Sequence, residues 1–121
     1  MSGRLPVRKS GEIPAEPVTG GVGTTRQVLI GPEEGPHFAL RRFTIVPGGG
    51  MPRHTNAVEH EQYVLAGRAT VTVGGQAFQV QAHDVVFIPA GVAHGYRTEG
   101  DESFVFLCVV PDGPDEIRVV E

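Results

Sequence analysis

Hydrophobic residues in this chain fall in short runs that alternate with polar ones, and glycine or proline closes nearly every run. Read with a period of two, Gln27–Ile30, Phe38–Val46, Gln62–Leu65, Arg68–Val73, Phe78–Val80, Val85–Ile88, His94–Arg97 and Ser103–Val110 are predicted strands. No window holds a helical i, i+3, i+4, i+7 stripe for long, and Pro47 with Gly48-Gly49-Gly50 breaks the one plausible attempt. The same tripled glycine predicts a tight reversal after the second strand, because residues without a Cβ turn freely. Val73-Gly74-Gly75-Gln76 predicts a two-residue hairpin with positive φ at both glycines. Val85–Ile88 is uninterrupted and apolar, as expected of a strand covered on both faces. In Ser103–Val110 both alternations are apolar, with Phe104, Phe106, Cys108 and Val110 on one face and Val105, Leu107 and Val109 on the other, so this strand too is expected to be buried. Roughly nine strands joined by short turns, without an internal repeat, predict an all-β sandwich or small barrel of the jelly-roll kind.

Composition narrows the class. The 121 residues suffice for one domain, with 40% hydrophobic and 20% charged side chains. No apolar run approaches the roughly 18 residues that a membrane helix needs, so no membrane association is expected. Residues 1–25 carry Pro6, Pro14, Pro17 and isolated valines and are read as an extended arm, with the barrel domain over 26–121. Arg4, Arg8 and Lys9 are followed by no apolar block, so no secretory signal is read and the cytoplasm is the expected compartment. A single cysteine, Cys108, excludes an intrachain disulfide and a thiolate metal cluster. The net charge of −4, without a basic stripe, argues against a nucleic-acid partner.

The chemistry concentrates between Gly48 and Gly67. If the chain is extended on both sides of a turn near Ala57, then His54, Asn56, His60 and Gln62 share one face. His94 follows in Pro89-Ala90-Gly91-Val92-Ala93-His94. Neutral imidazole is the commonest transition-metal ligand, and His54, His60 and His94 are read as a metal site rather than as core histidines. Asn56 is either a direct ligand through its carboxamide oxygen or a turn former. His37 and His83 are read as loop and turn residues. Gln62, Tyr63, Tyr96, Phe104, Phe106 and Cys108 are candidate pocket residues, and Arg53 is a candidate for steering an anionic substrate. No catalytic residue is assigned.

Gly48, His54, Asn56, His60 and Gly67 in this spacing resemble the first motif of the cupin superfamily, and Pro89-x-Gly91-x-x-His94 is similar to the second. Glu59-His60-Glu61-Gln62-Tyr63-Val64-Leu65-Ala66-Gly67 is similar to small single-domain cupins in which histidine replaces the motif glutamate. The resemblance extends from about Arg26 to Pro111. It implies a double-stranded β-helix, or jelly-roll barrel, holding one divalent ion. Manganese or iron is favoured; nickel, zinc or copper would also suit imidazole. It also implies homodimers in which the N-terminal segment crosses to the partner. The sequence departs from the motifs at Asn56, where histidine is usual, at His60 for glutamate, at His83 for glycine and at Thr98 for asparagine.

An oxygenase-like enzyme is the function read from these residues, with two alternatives. It would use a His-ligated ion on a small apolar or chelating substrate. A redox-silent isomerase, cyclase or decarboxylase would use the ion as a Lewis acid, with Tyr63 and Tyr96 as candidate proton donors. A non-catalytic small-molecule or metal-binding module is the third. On the metal reading, His54→Ala or His94→Ala is expected to abolish stoichiometric metal binding in a protein that still folds, and Asn56→His to tighten it, as elemental analysis after dialysis would show.

Overall fold

The computed structural model describes residues 5–120; residues 1–4 of the expected arm, and residue 121, lie outside the described residues. After a 3-10 turn at Ser10–Glu12 come β1 (Glu16–Pro17), β2 (Val22–Ile30), β3 (Phe38–Thr55), β4 (His60–Ala66), β5 (Arg68–Val73), β6 (Gln76–Gln81), β7 (Val85–Ile88), β8 (His94–Glu99), β9 (Phe104–Pro111) and β10 (Arg118–Val119). Every pairing is antiparallel, in the order β6-β5-β8-β3-β9-β4-β7, with β2 and β10 on β3 and β1 on β2. The strands curl into a jelly-roll half-barrel, as the punctuation of the sequence implied.

Strand β3 makes the curl possible. Its first half pairs with β2 and β9, from Phe38 to Ile45, and its second half pairs with β8, from Gly50 to His54. One strand thus belongs to two facing layers and bends between them. The expected reversal at Pro47–Gly50 does not occur; the chain runs on through it. Gly48 takes a φ of +82°, and a Cβ on Gly49 or Gly50 would strike the carbonyl oxygen of Val22 or Tyr96. The glycines therefore serve close backbone crossing rather than a turn.

Two further expectations are corrected. At the β5–β6 hairpin only Gly74 has positive φ, +61°, so the turn resembles the primed type that asks for glycine at its first central position. Strand β7 is not covered on both faces: Val85 and Phe87 are 74% and 57% exposed. Among the described residues it ends the pairing order with only β4 beside it, and no second layer buries Val85 and Phe87. Strand β9, paired on both sides, is buried as expected.

The core lies between the layers and is built on Ile45, Val64, Val71, Ile88, Phe104, Phe106 and Cys108. Phe106 stacks on Phe43 at 5.1 Å between ring centroids and packs against Tyr96 at 5.2 Å and Phe104 at 5.3 Å. Aromatic pairs of this kind add about 0.5–1.5 kcal/mol each beyond their buried area. Strand β2 starts at Val22, so the expected boundary between arm and barrel falls inside a strand. Arg8 holds the described part of the arm on this same chain, bonding Glu34 at 2.7 and 2.8 Å and the Leu29 carbonyl at 2.7 Å.

Between β4 and β5, Gly67 has a φ of +80°, and an added Cβ would collide with the Ser103 carbonyl oxygen. Gly67→Ala combines a left-handed backbone with that clash and is expected to cost at least ~2 kcal/mol in urea unfolding. An unchanged midpoint would contradict the close approach.

Candidate metal centre

The beginnings of β4 and β8 and the end of β3 deliver the polar residues to one place. Because side chains alternate along a strand, His54 and Asn56, His60 and Gln62, and His94 and Tyr96 face inward together. All six are buried, His94 to 1% exposure. His54 and His94 are register partners across β3 and β8, and their ring centroids lie 4.2 Å apart. His60 arrives from the opposite layer, 5.6 Å from His94. Asn56 is fixed from two directions: its carbonyl accepts the Gly91 amide at 2.9 Å, and its side-chain Nδ2 donates to Asp115 at 3.1 Å.

Hydrogen bonding assigns the ring nitrogens. His54 Nδ1 lies 2.8 Å from the Pro52 carbonyl, and His94 Nδ1 lies 2.9 Å from the Val92 carbonyl. A carbonyl only accepts, so both Nδ1 atoms carry a proton, and in the neutral ring Nε2 is the nitrogen left with a lone pair. His60 Nδ1 meets Cys108 Sγ at 3.3 Å. The Nε2 atoms of His60 and His94 and the Oδ1 of Asn56 are buried without a hydrogen-bond partner among the described residues. Asp115 can only accept from the Asn56 amide, which leaves Oδ1 as the free end.

These unpaired acceptors, two imidazole nitrogens and one carboxamide oxygen, together with the His54 ring beside them, fit a divalent cation in donor chemistry, and each backbone-anchored ring is held in the tautomer that ligation needs. The donors converge without closing. Among the described residues, no group of three or more His, Cys, Asp or Glu side chains is placed so that it could hold a metal ion as it stands. Beside them, Phe43, Ile45, Met51, His54, His60, Gln62, His94, Tyr96 and Phe106 line a cavity of about 30 Å³, room for an ion and one or two waters. A roomier groove of about 540 Å³ lies between β6 and β7 around Phe78, Val85 and Phe87, but none of the candidate ligands lines it.

Most candidates from the sequence meet here. Gln62, Tyr96 and Phe106 line the cavity, and Cys108 sits just behind His60 and Gln62. Phe104 packs under Phe106 in the core and does not line the cavity. Tyr63 and Arg53 are not brought to it. Both fall on the outward alternation; Tyr63 is 41% exposed and its hydroxyl bonds His83 Nδ1 at 3.0 Å, while Arg53 is exposed. His83 occupies a turn, as read, with a φ of +77°, a conformation that glycine adopts freely. The sequence reading missed Phe43, Ile45 and Met51 in the walls, Arg41 behind Cys108, and Asp115 on the rim. The period-two pattern Arg41, Phe43, Ile45 was available for the first strand; nothing local marked Asp115.

Burial governs the electrostatics. Desolvation, then the charge of Arg41, lowers the pKa of His60 to about 3; desolvation lowers that of His94 to about 4 against its bond to the Val92 carbonyl. Burial also raises the Cys108 thiol and pushes the Tyr96 phenol well above its usual value, so both stay protonated.

Residues 41–110 match the family model described as a cupin domain, and the chain belongs to the cupin family. It is 39% identical over 88 residues to the 1-methylthio-D-xylulose 5-phosphate methylsulfurylase of Rhodospirillum rubrum, an alignment covering 71% of this chain and 54% of that protein. It is 35% identical over 81 residues to oxalate decarboxylase of Bacillus subtilis, covering 62% of this chain and 21% of the decarboxylase. The chain thus spans about half the length of the first and about a fifth of the second. Among solved structures, the polyketide cyclase RemF from Streptomyces resistomycificus superposes with a TM-score of 0.87 at 31% identity, over 98% of this chain and 87% of that one. A cupin-2 domain protein from Rhodospirillum rubrum follows at 0.82 and 29%, over 98% and 81%.

The histidines also set a pH dependence. In the unfolded chain each imidazole takes up a proton near pH 6.5, whereas the folded sites resist until about 4 and about 3. Between those limits the unfolded state binds more protons, so stability is complete above pH 6.5 and falls as the pH is lowered. Urea unfolding of metal-free protein is expected to show a loss of several kcal/mol between pH 7 and 4.5, with a slope roughly halved in His60→Gln.

Proposed function

We propose that this cupin is a metal-dependent enzyme that carries out redox-silent chemistry on a small keto or enol substrate, an isomerisation or cyclisation. The observation carrying this reading is the meeting of three buried, unpaired acceptors, His60 Nε2, His94 Nε2 and Asn56 Oδ1, with a protonated phenol beside one small cavity. His54, His60, His94 and Asn56 would hold a divalent ion, which would supply Lewis-acid polarisation of a substrate oxygen.

The chain's own groups handle the proton. Gln62 Nε2 donates to the Tyr96 hydroxyl oxygen at 2.7 Å, so that oxygen is satisfied as an acceptor and its own O–H is left to donate into the cavity it lines. With its pKa raised by burial, Tyr96 serves as a proton donor rather than a base. Phe43, Ile45 and Phe106 keep water from the reacting centre. The likeness to a polyketide cyclase over nearly the whole chain favours this reading. The all-neutral ligand set and apolar walls favour a second one, an oxygenase-like reaction at manganese or iron.

Turnover of β-diketones by zinc-loaded protein under anaerobic conditions separates the two. Activity is expected to persist there, and Tyr96→Phe is expected to lower kcat by at least ~100-fold with unchanged metal content. Turnover that demands dioxygen and fails with zinc would move the assignment to the oxygenase; failure to take up any divalent metal would defeat both.

A further inference from the structure

We infer that Arg41, with Arg26 beside it, forms an anion-binding cradle on the inner face of the barrel and receives a carboxylate or phosphate group of the substrate. This deepens the proposed function, since the cradle would act on the same substrate, yet it stands on different residues.

Arg41, Phe43 and Ile45 share one alternation of β3, and the last two line the cavity, so Arg41 projects inward on the same face. Contacts agree with that placement. Its Nη2 lies 3.7 Å from the fully buried Cys108 Sγ, and its guanidinium sits 5.2 Å over the Phe43 ring. Its charge is felt at His60, at Tyr96 and at Cys108. On the neighbouring strand Arg26 is paired with Phe43 while Val28 is paired with Arg41, which puts the two arginines on one face as diagonal neighbours.

Neither cation is neutralised. The Nε atoms of Arg26 and Arg41 are buried without a hydrogen-bond partner, and among the described residues neither guanidinium forms an ion pair. Acids are not scarce, with 14 Asp and Glu against 10 Lys and Arg, and the register partner of Arg26 is Glu16, which stays exposed and unbonded to it. A half-buried cation with an unpaired, buried Nε carries a desolvation cost, and a planar fork of N–H donors matches an oxyanion. An anionic ligand removes that cost.

Calorimetric titration with malonate and with inorganic phosphate, on metal-loaded and metal-free protein, tests the cradle and separates its two sources of oxyanion. One of the two is expected to bind at one per chain. Arg41→Met is expected to weaken it at least ~10-fold, Arg26→Met less, and Arg41→Lys, which keeps the charge and loses the fork, to fall between. Arg42→Met, which removes the same charge from the opposite face of β3, is expected to change affinity by less than about 2-fold. Equal losses in Arg41→Met and Arg42→Met, or no binding of either anion to wild type, would overturn the cradle. Metal content measured on the same samples keeps the outcomes apart: wild type without metal defeats the proposed function, while Arg41-dependent anion binding to metal-free protein would still uphold the cradle.

Discussion

The arrangement depends on an unmet demand for charge. His60 Nε2, His94 Nε2 and Asn56 Oδ1 are acceptors buried from bulk solvent and without a donor among the described residues. Leaving a buried polar group unpaired costs about 1–3 kcal/mol, and three at one place amount to a standing destabilisation that a packed hydrophobic interior would not carry. The depressed basicity of His60 and His94 has the same origin: a proton would satisfy each nitrogen, but burial and the neighbouring charges oppose imidazolium. A dication meets several of these lone pairs at once, where protons would have to be accommodated singly and against mutual repulsion.

The fold accommodates this because the strained atoms sit at strand ends while the interiors of the same strands are satisfied. Ile45, Val64, Val71, Phe104 and Phe106 pack below the histidines, and Thr98, also buried, bonds the Ile45 carbonyl at 3.1 Å. The bent β3 places His54 in one layer with its partner His94, while β4 brings His60 across from the other. Backbone carbonyls two residues before His54 and His94 lock those rings before any ligand arrives, so binding does not require ordering them. The rim is held by a distant segment. Asp115 fixes the Asn56 amide and accepts the Ala57 backbone N–H at 2.8 Å, while β10 pairs with Thr55 and His54. The orientation of one candidate ligand therefore depends on residues some sixty positions away.

Most of this was legible where the signal is local. Alternation put His54, Asn56, His60 and Gln62 on one face, and the structure has them so. It also put Tyr63 one step out of phase, which the sequence reading overrode for its chemistry and the structure did not. The glycine triplet was misread because a reversal and a close crossing ask for the same residue; what distinguishes them is whether a second backbone lies against it, here those of Val22 and Tyr96. For Val85 and Phe87 the composition of an edge strand matched that of a central one, and only pairing order separates the two. Asp115 carried no local mark, since an acid in a polar tail reads as solvated surface until the tail is seen to return to the barrel.

The replacement of the motif glutamate by His60 gains meaning from its surroundings. A glutamate there would have given a dication one negative ligand; with His54, Asn56, His60 and His94, every candidate donor is neutral. Arg41 adds a further positive charge close enough to depress His60. Asp115 opposes it, raising both His60 and His94, but as a smaller influence and from the rim, with its oxygens engaged by Asn56, Ala57 and Glu116. A dication in such a cavity would leave a surplus of positive charge at low dielectric, where Coulomb energies exceed their values in water severalfold. Among the described residues Asp115 is the acid whose charge reaches both His60 and His94, so further compensating charge would come from a bound anion. On the proposed function, an anionic substrate would supply the charge that a ligand glutamate would otherwise have given, and the all-neutral donor set that His60 completes would favour it.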